Sequence, residues 1–263
     1  ASLTGVSKVY RIGGAQAIAA LAYGTESVDP VLKIIGPGSR YVSAAKRVVA
    51  HMVDTGLPAG PSESMILADG SGNPRTTALD LLVEAEHGAD SCALLITDSQ
   101  EFAEEVAGYA GDFAEELPEE RRNFVSEVIS RYGGVLVVSS LEEGAELVNR
   151  FAPEHLQIRT AEPFSTMEYI RNAGEILIGE HLPFSAANYS TGPNAVLPTG
   201  GAAKTYSPVS VRDFMKFSSV VYAEEGGYRS MAPHVAALAE YEGFAAHEWA
   251  VSRRYEGAEG GKR

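Results

Sequence analysis

The sequence is short of cysteine, of basic side chains and of long apolar runs, and each shortage excludes a class of protein. The single cysteine, Cys92, rules out a disulfide within the chain and suits a reducing cytosol. The 21 lysines and arginines face 35 aspartates and glutamates, and a net charge of −14 excludes general attraction to nucleic acid or anionic membrane. No apolar run approaches the roughly 20 residues that span a bilayer. These shortages predict an acidic, cytoplasmic protein.

What remains is an ordinary globular composition. Hydrophobic residues make up 45% and charged residues 21% of the 263 positions, so the chain can fold around a sizeable core. The chain begins at Ala1 without Met and reaches a strand-like segment almost at once, at residues 9–12. We therefore expect it to be part of a longer polypeptide.

Short apolar runs alternate with amphipathic stretches along most of the chain. The strand-like runs are residues 9–12, 31–35, 64–68, 93–97, 135–138, 156–158 and 176–178. Helical patterns of ten or so residues separate many of them, which predicts an α/β fold of Rossmann-like βαβ units with mostly parallel sheets. Residues 181–206 lack periodicity and are predicted to be a long loop. Helical patterns return at 211–217 and 228–253, which predicts a C-terminal helical arm followed by a tail.

Two glycine turns each join a predicted strand to a predicted helix. They are Gly13-Gly14 and Gly36-Pro37-Gly38. Such turns direct main-chain N–H groups and the positive end of a helix dipole at an anion. Neither is the G-x-G-x-x-G fingerprint of dinucleotide-binding folds, so an anion site and a pair of ordinary turns both stay open.

Two pairs of residues combine a carboxylate with an imidazole. Glu84 and His87 stand three apart near the end of a predicted helix, so they share a face and could bind one divalent ion. An acidic, solvated helix end is the alternative. Glu154 and His155 lie on a tight connection and could form an acid–base pair that activates water. A capping Glu154 beside a partly buried His155 is the alternative there.

Other polar positions are less informative about function by themselves. Ser62 lies in a Gly-Pro-Ser sequence, which is more typical of a turn than of a ligand contact. His247 has apolar neighbours, so its local sequence predicts a core histidine. Cys92 has no base nearby in sequence and is expected to be a small buried hydrophobe rather than a nucleophile.

Eight sequence blocks, taken in order, resemble the histidinol dehydrogenase family. They are residues 13–24, 36–38, 59–63, 85–87, 153–155, 171–174, 192–194 with 196–199, and 242–247. The part of the family before the first glycine turn has no counterpart in this chain. The resemblance implies a homodimeric, zinc-dependent, NAD-linked oxidoreductase of histidine biosynthesis. Such an enzyme oxidises a small polar alcohol, through a bound aldehyde, to a carboxylate in two hydride transfers.

The same resemblance implies a role for each matching residue. The NAD-binding positions hold Gln16, Gly36, Gly38 and Ser39. The zinc-ligand positions hold Glu84, His87, Asn188 and His247, the last reaching the site from a second copy of the chain. The substrate-contact positions hold Ser62, Tyr189 and Glu242. At the acid–base positions, His155 would take the proton of the alcohol and Glu154 would activate the water that adds to the aldehyde.

Four positions depart from the family pattern. The family usually has Asn at Ser39, Gln at Glu84, Asp at Asn188 and His at Ala195. The amide and the carboxylate have exchanged places between positions 84 and 188, so the ligand set keeps its formal charge and we expect zinc to be retained. Ala195 offers no hydrogen bond, and a pocket that loses one loses discrimination. Another small alcohol could therefore replace L-histidinol, as in the sulfopropanediol dehydrogenases, which look like the nearest such branch.

The resemblance also divides the chain into three parts. Residues 1–58 would be the remainder of a Rossmann-like NAD-binding domain, and residues 59–210 a second α/β domain with the acid–base and metal residues. Residues 211–263 would be a C-terminal helical dimerisation arm and tail. The alternative is a non-catalytic metal- or nucleotide-binding remnant of the family. Retention of Glu154 and His155 argues against a remnant, whereas the missing N-terminal portion argues for it.

Overall fold

A computed structural model describes residues 2–254 of the protein. The chain divides into two compact units, and the boundary lies between Met215 and Lys216. Among residues 2–254, no helix combines the length and the apolar content that a membrane span requires.

A five-stranded parallel sheet is the centre of the first unit. Its strands are β1 (Glu63–Ala68), β2 (Cys92–Thr97), β3 (Gly133–Val137), β4 (His155–Arg159) and β5 (Glu175–Ile178). They lie in the order β3-β2-β1-β4-β5, and each neighbouring pair is parallel. The order runs outward from β1 in both directions, as in doubly wound folds, and confirms the predicted α/β class.

The first unit also contains helices, and those that follow the first two pack against the faces of this sheet. The helices are α1 (Gly14–Tyr23), α2 (Arg40–Val49), α3 (Pro74–Ala85), α4 (Gln100–Glu116), α5 (Glu119–Arg131), α6 (Leu141–Phe151), α7 (Pro163–Met167) and α8 (Phe184–Tyr189). Alternate residues of β1 enter two cores, because successive side chains of a strand point to opposite faces. Ile66 lies in the core with α3, α4, α5 and α8, whereas Leu67 lies in the core with α6. Helices α1 and α2 share a smaller core of their own.

Several sequence predictions of local structure were wrong. Residues 9–12 and 31–35 are not strands: within residues 2–254, the only pairing in these segments is one bridge between Lys33 and Asp54. An apolar run becomes a strand only where a neighbouring strand takes its main-chain hydrogen bonds. The loop predicted at 181–206 contains α8 and a 3-10 turn, Ala202–Lys204. The polar helix α5 was missed because it buries only Val125 and Val128.

The second unit contains α9 (Glu225–Glu242) and α10 (Ala245–Ser252), which confirms the predicted helical arm. Gly243 turns the chain between them with a φ of +75°, a conformation that favours glycine. The Tyr228 hydroxyl donates a hydrogen bond to the Val251 carbonyl and so ties the two helices together. The predicted tail, residues 255–263, lies outside the described residues.

A buried ion pair joins α3 to β4 at the carboxyl end of the sheet. The Arg159 guanidinium contacts the Asp80 carboxylate, and both side chains are at most 5% exposed. Gln157 donates to Asp80 at 2.9 Å and to the Leu182 carbonyl at 2.9 Å. The cluster therefore fixes α3, β4 and the chain that enters α8 relative to one another.

We predict that Arg159→Met lowers the free energy of unfolding of the first unit by about 3–5 kcal/mol, because Asp80 would stay buried without its cation. The control is Arg131→Met, which removes an exposed pair with Glu127 and should cost less than about 1 kcal/mol. Urea titrations followed by circular dichroism measure both. Fluorescence is unsuitable because Trp249, the one tryptophan, lies in the second unit. Equal losses of unfolding free energy in the two variants would contradict the stabilising role of the ion pair between Arg159 and Asp80.

Candidate functional site

The predicted acid–base and metal residues of the first unit meet at the amino edge of the sheet. Strand β4 begins at His155, which lies opposite Ser64 of β1. Helix α3 leaves the carboxyl end of β1 and runs back, so Glu84 in its last turn reaches the same edge. Ligand sites of open α/β sheets usually lie at the opposite, carboxyl edge, near which this structure has the Asp80 ion pair.

His155 is buried and is oriented by a second carboxylate. Its Nδ1 lies 3.0 Å from Glu175 Oε2, and its ring packs edge-on against Phe184 with 5.8 Å between centroids. Nδ1 donates to Glu175, so Nε2 keeps its lone pair and is the basic atom. Burial by itself lowers the pKa of His155, but the hydrogen bond to Glu175 and the charges of Glu154 and Glu84 outweigh it and raise that pKa.

Glu154 is buried beside this imidazole. Its Oε1 lies 4.0 Å from His155 Nε2, and its Oε2 accepts the main-chain N–H of Glu63 at 3.1 Å. Burial raises the pKa of Glu154 to about 7, although the charge of His155 and the N–H of Glu63 act in the opposite direction. A carboxyl that titrates near neutrality can both accept and release a proton in a reaction.

The chain before β5 passes very close to Glu154. A Cβ at Gly174 would lie 2.5 Å from the Glu154 carbonyl oxygen, which leaves room only for glycine. The N–H of Glu175 donates to that same oxygen at 2.9 Å. This contact brings the Glu175 carboxylate to His155. The sequence carries no chemical signal for Glu175, which directly follows the family block at 171–174.

Glu84, His87 and Asn188 also come together. Asn188 Nδ2 donates to Glu84 Oε1 at 2.9 Å, and His87 Nδ1 lies 3.2 Å from Glu84 Oε2. Nδ1 of His87 also lies 3.0 Å from the Val83 carbonyl oxygen, which favours the tautomer with its hydrogen on Nδ1 and its lone pair on Nε2. Residues 2–254 contain no group of three or more His, Cys, Asp or Glu arranged to hold a metal; here only Glu84 and His87 are of those types.

This donor set fits a divalent cation. The Glu84 side chain is 1% exposed, and a buried carboxylate is costly unless a cation or hydrogen bonds compensate it. Its contacts are one amide and one imidazole, both neutral when His87 is unprotonated. An imidazole nitrogen and a carboxylate oxygen are common zinc ligands, and an amide oxygen is a further donor for hard cations.

The remaining predicted substrate and metal residues lie in varied surroundings. Ser62 is half-buried and directly precedes β1, whereas Tyr189 is exposed at the end of α8. Glu242 and His247 belong to the second unit and are exposed within it. The ring of His247 lies beside that of Phe244, with 5.2 Å between centroids. The local prediction of a core histidine at His247 was therefore wrong.

The predicted NAD-binding residues lie around the starts of α1 and α2. Gln16 is exposed in the first turn of α1. Gly36 and Gly38 lie in the turn that leads to Ser39, the residue before the first turn of α2. The structure thus places these four positions at two helix N-termini, which are suited to anions in general.

Comparison with known proteins covers nearly the whole chain. The family described as histidinol dehydrogenase matches residues 1–255. The histidinol dehydrogenase of Synechocystis sp. is 51% identical over 254 residues, which is 97% of this chain and 58% of that protein. A histidinol dehydrogenase homolog of Rhizobium meliloti is 52% identical over 253 residues, 96% of this chain and 56% of that protein. The chain therefore spans less than two thirds of the length of these curated relatives.

A solved structure shows the same fold. The crystal structure of histidinol dehydrogenase from Elizabethkingia anophelis superposes with a TM-score of 0.92 at 35% sequence identity. The match covers 98% of this chain and 59% of that one. Sequence and fold agree over the same length, and the chain belongs to the histidinol dehydrogenase family.

Proposed function

We propose that the protein is a zinc-dependent, NAD-linked oxidoreductase that converts a small primary alcohol, through a bound aldehyde, to a carboxylate. The observation that carries the proposal is the buried row Glu175–His155–Glu154, beside the Glu84–Asn188 contact. The names of the relatives make L-histidinol, oxidised to L-histidine, the first substrate to test. The alanine at position 195 favours a second candidate, a paralogous alcohol such as sulfopropanediol.

His155 would act on the alcohol. Glu175 holds Nδ1, so Nε2 can take the hydroxyl proton while the carbon loses a hydride to NAD. The positive charge that His155 gains lies between the Glu175 and Glu154 carboxylates, which stabilise it. A zinc ion, when held by Glu84, His87, Asn188 and the partner subunit's His247, would polarise the substrate oxygen.

Glu154 would act on water in the second oxidation. Its pKa of about 7 leaves much of it ionised at neutral pH, where it can take a proton from the water that adds to the aldehyde carbon. The adduct would then give a hydride, the second of the overall reaction, to a second NAD and lose a proton, which leaves the carboxylate. The Glu63 N–H on one side and the close approach of Gly174 on the other fix the position of Glu154.

The other parts of the chain have roles in the same proposal. Residues 1–58 would bind NAD through Gln16, Gly36, Gly38 and Ser39. Residues 211–263 would form the dimerisation arm. In support, the second unit exposes the apolar side chains of Leu238, Tyr241 and Trp249, which a second copy could cover. A non-catalytic binding remnant is disfavoured because burying and orienting His155 between two carboxylates is costly and gives a binding protein no benefit.

We expect the zinc-loaded protein to form NADH from L-histidinol or from a sulfonated propanediol. His155→Gln should lower kcat/KM about 100-fold or more, because general-base catalysis typically contributes that much. Glu154→Gln should slow oxidation of the added aldehyde more than oxidation of the alcohol. His181→Gln, at an exposed position, is the control and should leave both rates unchanged. Absence of turnover with both alcohols would favour the non-catalytic alternative.

Zinc affinity should depend on the presence of one carboxylate at either position 84 or position 188. Glu84→Gln removes the one carboxylate of the set and should weaken zinc binding about tenfold or more. Adding Asn188→Asp restores a carboxylate, so the double variant should return to within a few-fold of the original affinity. Titration calorimetry against a competing chelator measures both. A double variant as weak as Glu84→Gln would argue against a shared ion.

The stability of the first unit should fall as the pH rises from about 5 to 8. The pKa of Glu154 rises from 4.5 when exposed to about 7 in the fold, so its stabilising contribution is complete below 4.5 and is lost as the pH passes 7. Glu154→Gln removes this dependence. As the pH rises from 5 to 8, the free energy of unfolding of the variant should therefore increase by up to about 3 kcal/mol relative to that of the original protein. Urea unfolding measures it, with Glu142→Gln at an exposed position of α6 as control. The same pH dependence in both variants would contradict the burial of Glu154 as its cause.

A further inference from the structure

A cavity of about 560 Å³ lies along α2, between that helix and two segments of the first unit. One segment is residues 55–61, before β1, and the other contains Thr199, Gly200, Ala202 and Tyr206. The cavity contains none of the residues of the acid–base or metal sites. It also contains none of Gln16, Gly36, Gly38 and Ser39. Its volume is in the range of small-molecule sites.

The charge of the cavity is opposite to that of the whole chain. Arg40, Lys46 and Arg47 line it, and no aspartate or glutamate does, although the chain has a net charge of −14. Arg40, Ser43, Arg47 and Ala50 follow one another at intervals of three and four residues, so they form one face of α2. Within residues 2–254, no carboxylate forms a salt bridge with any of the three cations.

Lys46 adds a buried cation to this face. It is 8% exposed, and its ammonium donates to the Gly36 carbonyl oxygen at 2.7 Å. Burial lowers the pKa of Lys46, and the acceptor of its hydrogen bond is a neutral carbonyl rather than a carboxylate. An ammonium has three N–H donors, and an anion in the cavity would supply a further acceptor together with an opposite charge.

We propose that the cavity lined by Arg40, Lys46 and Arg47 binds a phosphate-bearing anion. Guanidinium groups recognise phosphate oxygens through paired hydrogen bonds, and the ammonium of Lys46 acts as a point charge beside them. The phosphate belongs to a compound separate from the dinucleotide, because none of the predicted NAD-binding residues lines the cavity. The proposal does not depend on the dehydrogenase activity.

The test is binding of inorganic pyrophosphate to the full chain, measured by titration calorimetry without zinc or alcohol. Arg40→Ala and Arg47→Ala should each weaken binding about tenfold or more, the usual loss for a hydrogen bond to a charged group. Both arginines are exposed, so both variants should keep the circular dichroism of the original protein. Arg150→Ala, at an exposed position on α6, removes the same charge elsewhere and should change the affinity less than about twofold.

Competition with NAD tests whether the site is separate from the cofactor site. Pyrophosphate binding that NAD leaves unchanged would support the proposal. Displacement of pyrophosphate by NAD would assign the cavity to the cofactor and overturn the proposal. Absence of pyrophosphate binding, or equal binding by Arg40→Ala, Arg47→Ala and Arg150→Ala, would overturn it. Loss of turnover with intact pyrophosphate binding would count against the dehydrogenase alone.

Discussion

The register of β4 against β1 and β5 is the constraint on which the candidate site depends. It sets His155 opposite Ser64 on one side and Glu175 on the other. That pairing brings the Glu63 N–H to Glu154 and the Glu175 carboxylate to His155. A shift of one residue would turn every side chain of β4 to the opposite face of the sheet. The hydrophobic cores on the two faces therefore fix the chemistry at its edge.

Buried charged side chains have different partners at the two ends of β4. At the carboxyl end, Asp80 meets Arg159 and Gln157, so each charge is compensated within the protein. At the amino end, Glu154 and Glu84 have no arginine or lysine partner in the described part of the chain. One oxygen of Glu63 there is buried without any hydrogen bond among the described residues. The first end holds α3 and β4 together, and the second leaves carboxylates available for the proton transfer and cation binding that we propose.

The sequence predicts the parallel sheet well because most of its strands contain short apolar runs, which stand out from the amphipathic helices. It fails where structure depends on partners distant in the chain. Segment 31–35 is as apolar as a strand but finds a single bridge, and α8 is ordered by only two buried side chains, Phe184 and Ala187. Glu84–His87 and Glu154–His155 were visible from spacing, whereas Asn188 came from the family resemblance alone. Glu175 gave no signal, since its partner lies 20 residues away.

The hydrogen bond between Asn188 and Glu84 links the charges that these two positions can carry. Starting from the Gln and Asp that the family usually carries there, one substitution alone would bring together either two carboxylates or two amides. Two carboxylates at the 2.9 Å separation seen here would repel each other, and two amides would leave the site without a negative charge. The charge of the site therefore depends on positions 84 and 188 jointly, although 104 residues separate them.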